Sequence, residues 1–85
     1  MQEEIEKIRR VRKANTARLM KKANVVGVGV GYRRQAGQQT DQLVLVVMVN
    51  RKLPVNLLSA RDVIPAEIDG VPVDVQELGE IRAQV

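Results

Sequence analysis

The sequence predicts an α+β fold: an N-terminal helix, an antiparallel hairpin, a short crossover helix and a further edge strand or hairpin in a three- to four-stranded sheet. Three observations lead there. Residues 1–22 contain neither glycine nor proline and are rich in helix formers. Valine alternates with glycine in "VVGVGVGY", and "LVLVVMV" is continuously apolar. Asp69-Gly70, set between Ile68 and Val71, carries the signature of a tight hairpin turn.

The helix is expected over residues 3–22, with acids first and bases last, as its dipole favours. Ile5, Ile8, Leu19 and Ala23 supply a thin apolar stripe that Arg12 and Thr16 interrupt, so a bend is expected near Asn15. The first strand follows over 25–33. Strand side chains alternate between faces, which puts Val26, Val28, Val30 and Tyr32 on one side and leaves Gly27, Gly29 and Gly31 on the other. Such a bare face implies close approach of some element, be it a helix, another subunit or a ligand. A dinucleotide or P-loop reading fails because the third glycine is one residue early and no Lys-Ser/Thr pair or apolar helix follows.

A polar loop, "RQAGQQTDQ", separates this strand from Leu43–Asn50, whose uninterrupted apolar run requires a central strand covered on both faces. Between Pro54 and Pro65, Leu57, Leu58 and Arg61 have helical spacing and predict two or three helical turns. The valines at 71, 73 and 75 alternate with polar residues and Pro72, and proline argues for an edge strand. The chain reads as one small domain over 1–85: a basic helix to residue 22, an α+β core over 23–80, and a tail or the start of a linker over 81–85.

Composition narrows the functional classes. With 85 residues, no Phe or Trp and one Tyr, the core must be aliphatic, drawn from 15 Val, 7 Leu and 5 Ile. There is no Cys, so disulfides, thiolate metal sites and a cysteine nucleophile are excluded, and no His, so Ser59, the single serine, has no imidazole to activate it. Asp69, Asp74 and Glu77 read as turn and solvent-facing acids, without the alternating oxygen ligands of a calcium loop. No catalytic, cofactor-binding or metal residue is assigned, and the chain is not expected to be an enzyme. The N-terminus lacks a signal peptide's apolar stretch and no segment is long enough to cross a membrane, which points to a cytoplasmic protein.

Net charge is +5 over residues 1–22 and −1 over the remainder. The basic helix makes Arg9, Arg10, Arg12 and Lys13 the candidate contacts for nucleic acid, against the plainer reading of a solvated charged face. A lone Tyr32 gives single strands no stacking platform.

Taken together, "NVVGVGVGYR", "LVLVVMVNRK", "LP", "IPAEIDGVPVDV" and "ELG" resemble the N-terminal module that precedes the protease domain of bacterial trypsin-like serine peptidases, including those related to the plant Narrow-leaf proteins. The resemblance spans about residues 20–80. It implies a non-catalytic accessory or oligomerisation module, since the peptidase chemistry of that family resides in a later domain and none of its catalytic residues maps here. Counting faces leads to a related expectation. One helix can cover only one side of the sheet, so a homo-oligomer, most simply a two-fold dimer, is expected through the uncovered face, with Val44, Val46 and Met48 as its interface, or through a free edge; the same surface could dock a following peptidase domain.

Overall fold

The computed structural model describes residues 2–78; the expected tail over 81–85 lies outside the described residues. Helix α1 (Gln2–Met20) leads into strands β1 (Val25–Gln35) and β2 (Gln38–Val49). Two single 3-10 turns, Val55–Leu57 and Ala60–Asp62, then precede β3 (Glu67–Ile68) and β4 (Val71–Glu77). The sheet has the order β1-β2-β4-β3. β1 is antiparallel to β2, β2 parallel to β4, and β3 antiparallel to β4. The α+β expectation is met, with β2 central as its apolar run requires.

α1 runs unbroken, and its buried line is Ile8, Val11, Asn15 and Leu19 rather than the stripe containing Arg12 and Thr16. The helix is not interrupted at Asn15, whose side chain is accommodated. Its Nδ2 donates to the Val11 carbonyl at 2.8 Å, and its Oδ1 accepts from Arg18 Nη2 at 2.7 Å, so a buried amide incurs no unsatisfied group. The helix covers one sheet face, packing Ile8, Val11 and Leu19 against Val25, Leu45, Val47, Val49, Ile68, Val71 and Val73.

The face assignment of β1 shifts by one residue at its start. Val25 pairs with Val49 and Gly27 with Met48, so Val26 is an extra, bulged residue and points outward; Val25, not Val26, joins Val28 and Val30 on the helix side. The expected polar loop is mostly strand. The hairpin closes through Ala36 and Gly37 alone, both at positive φ (51° and 78°), the backbone of a two-residue turn whose twist suits a hairpin. Alanine is strained there, and Ala36→Asn should raise stability by about 1 kcal/mol, read as a higher urea midpoint with unchanged slope.

The crossover departs from the predicted helix. Leu58 and Ser59 are extended (ψ 142° and 156°) and split the segment into two isolated turns. A helix this short cannot recover its nucleation cost, and the span must return the chain to a parallel strand. β4 is flanked on both sides, which corrects the edge assignment. Pro72 is still harmless: pairing with β2 begins one residue later, at Val73, and β3 reaches only Val71 and Pro72.

Candidate functional site

The hairpin itself covers part of the glycine face. Asp74 sits beside Val46, which sits beside Gly29, so in a flat sheet Arg34, five residues farther along β1, would lie about 17 Å away along the strand. Instead the Arg34 amide donates to Asp74 Oδ2 at 2.9 Å, and Gln76 Nε2 donates to the Tyr32 carbonyl at 3.0 Å. The outer half of the hairpin therefore curls back across its own face, and its Ala36-Gly37 tip shares a cleft with Lys52 and Glu77. The curl starts between two irregularities. One is the Val26 bulge; the other sets Arg33 opposite Thr40–Gln42. Side chains hold the second together: Thr40 Oγ1 donates to the Arg33 carbonyl and Arg33 Nε donates to Gln42 Oε1, both at 2.8 Å.

This geometry explains the glycines and revises the expected interface. A Cβ at Gly31 would stand 3.1 Å from Val46 Cγ2, and one at Gly27 would meet the end of Met48 at 2.8 Å, whereas Gly29 has open space around it. Close approach thus operates at Gly27 and Gly31, not at all three. Val44 and Val46 are buried within the single chain and Met48 is half-buried. The bare apolar surface that was to make this face an interface is already covered.

Uncovered apolar groups lie on the crossover. Val55 and Leu57 are 69% and 66% exposed. Val55 also lines a cleft of about 280 Å³, with Val49, Val63, Ile64 and Val75 and with Arg51 and Lys52 at its border. A second cleft adjoins it at Asp62, lined also by Arg18, Lys21, Lys22 and Arg61. Six cations and one carboxylate thus line the two clefts. The carboxylate is occupied. Asp62 accepts from Ser59 Oγ at 2.6 Å and from the Ala23 amide at 3.0 Å, while Lys22 Nζ donates to the Arg61 carbonyl. These bonds tie the crossover to the end of α1.

The Ser59 hydrogen bond first, then that from Ala23, with Arg61 and Lys22 nearby, holds the Asp62 carboxyl below its ordinary value. A lowered native pKa means that its contribution to stability is complete above the unfolded value, about 3.9, and is lost as pH falls through the native one. Asp62→Asn should therefore flatten the acid limb of a thermal-melt profile below about pH 4 and leave the neutral-to-alkaline limb unchanged in shape.

The remaining sequence candidates fall apart or stay separate. Arg9, Arg10, Arg12 and Lys13 are exposed along α1, away from the residues lining either cleft. Asp69 occupies the β3–β4 turn at φ 50°, Asp74 clasps the hairpin, and Glu77 accepts from the Lys52 amide at 2.8 Å. Among the described residues no cluster of three or more acids, histidines or cysteines could hold a metal ion, and no helix is long and apolar enough to cross a membrane. Asp62 was legible only as the end of Ser59-x-x-Asp62, a spacing that suits a side-chain bond across one turn. The basic cluster had no local signature, because its members come from segments about 30 to 40 positions apart in the chain.

A family model described as the NARROW LEAF 1 N-terminal domain matches residues 3–83. No curated protein matches the chain.

Proposed function

The chain belongs to the NARROW LEAF 1 N-terminal domain family, and from that premise we propose that it is a non-catalytic accessory module that acts by docking against protein, either a second copy of itself or an attached trypsin-like peptidase domain. The observation that carries this reading is the exposure of Val55 and Leu57 on the crossover, Val55 at the edge of an apolar cleft, on a segment pinned by Asp62. Aliphatic side chains left in water at neighbouring positions on so small a domain are a binding surface in waiting. The docking surface is thereby the crossover rather than the Val44, Val46 and Met48 face.

Sedimentation of the wild-type chain should show concentration-dependent association, or a complex with the peptidase domain, that the exposed-site double variant Val55→Ser/Leu57→Ser loses. A monomer at all concentrations that also ignores the peptidase domain overturns the proposal. So does hydrolytic turnover abolished by Ser59→Ala.

A second reading, nucleic-acid binding, is favoured by one observation, the exposure of Arg9, Arg10, Arg12 and Lys13 on one helix. Mobility shifts with duplex and single-stranded probes test it: binding that weakens steeply with salt and disappears when these four are neutralised supports it, and unshifted probes dismiss it.

A further inference from the structure

We infer that the crossover cleft takes an acidic peptide segment carrying an aliphatic anchor, the anchor entering between Val49, Ile64 and Val75 and its flanking carboxylates meeting the surrounding cations. The inference rests on the docking reading above and specifies the chemistry of the partner. Two independent features of the surface converge on it. The floor is aliphatic and concave, so it accepts a side chain rather than a flat lipid surface. Cations approach from two directions: Arg51 and Lys52, which follow the end of β2, border this cleft, while Arg18, Lys21, Lys22 and Arg61 line the neighbouring cleft that shares Asp62 with it.

Asp62, near Arg61 and Lys22, offsets part of this charge, but among the described residues none of the six cations makes an ion pair within 4.0 Å. Among the described residues the ion pair within 4.0 Å is Arg33 with Asp74, on the other side of the sheet. Asp62, the carboxylate of the rim, is held by Ser59 and the Ala23 amide, and Glu77 caps the Lys52 amide. A nucleic acid would satisfy the cations and leave Val55 and Leu57 in water; no aromatic side chain lines either cleft to stack a base. An acidic segment with an aliphatic side chain satisfies both requirements, by desolvating the anchor in the centre and pairing charges at the rim.

The test uses a short fluorescein-labelled peptide with two leucines set among glutamates, titrated with the full chain by fluorescence anisotropy. Saturable binding is expected, weakened at least about tenfold by Lys52→Glu/Arg61→Glu, by Val55→Ser/Leu57→Ser, and by raising salt from about 50 to about 500 mM. All four substituted side chains are exposed, and unchanged circular dichroism melts confirm that each variant folds. No saturable binding overturns the inference. So does equal or tighter binding of polyglutamate or duplex DNA, which carry no aliphatic anchor, or of phosphatidylglycerol vesicles, which present a flat surface rather than a protruding side chain. If the chain associates with itself or the peptidase domain through the crossover yet ignores the peptide, this inference falls while the accessory reading stands; if it does neither, both fall.

Discussion

Val47→Glu should leave the chain without cooperative structure at 25 °C, with no dispersed amide resonances and no thermal transition. Val47 is 0% exposed, lies between Val28 on β1 and Val75 on β4, and belongs to the core that faces α1. A carboxylate there has no cation to pair with, so it must be buried charged or protonated, at several kcal/mol either way. A domain of this size has a total stability on the order of 5 kcal/mol. The neighbouring Val46→Glu is the matched comparison, because its side chain leaves from the opposite face beside Gly29, which has free space around it. That variant should be destabilised yet still melt cooperatively, its carboxylate turning toward the opening. Equal stability of the two variants would refute the face assignment.

Asp74→Ala should cost about 2 kcal/mol and release the outer half of the hairpin. Asp74 Oδ2 accepts from both the Arg34 amide and Gln76 Nε2 at 2.9 Å, and Oδ1 lies 4.0 Å from Arg33 Nη1. Hydrogen bonds to a charged acceptor contribute about 1.5–3 kcal/mol each when shielded, less where one end is wet, as Arg34 is here. Hydrogen exchange distinguishes a local clasp from general destabilisation. Protection should fall at the Tyr32 to Gln39 amides, while the Leu45 to Val49 amides, central in the sheet, change only by the loss in global stability. A uniform change along the chain would mean that Asp74 does not hold the arm.

The hairpin and the crossover differ in how far local chemistry could be read. Asp69-Gly70 announced its turn because the positive φ values at both residues are a local demand. The Ala36-Gly37 turn did not, since alanine is a poor residue for its φ of 51° and the surrounding glutamines and threonine resemble loop. Those polar residues instead satisfy the irregular pairing opposite Arg33. Likewise the spacing of Leu57, Leu58 and Arg61 suited a helix, but the constraint on that segment is global: it must deliver β4 parallel to β2 while Asp62 reaches the Ala23 amide.

The sequence by itself determined the helix, the hairpin, the central position of β2, the aliphatic core and the lack of any histidine or cysteine chemistry. Each follows from composition or from a periodicity that a few consecutive residues contain, and local backbone and solvent preferences read those directly. Tertiary structure alone decided which face the glycines serve, that the hairpin curls over Val44 and Val46, and that Arg18, Lys21 and Lys22 come together with Arg51, Lys52 and Arg61. Those outcomes depend on contacts across about 30 to 44 positions. The closure of the chain on itself places such partners together, and no window of neighbouring residues contains them.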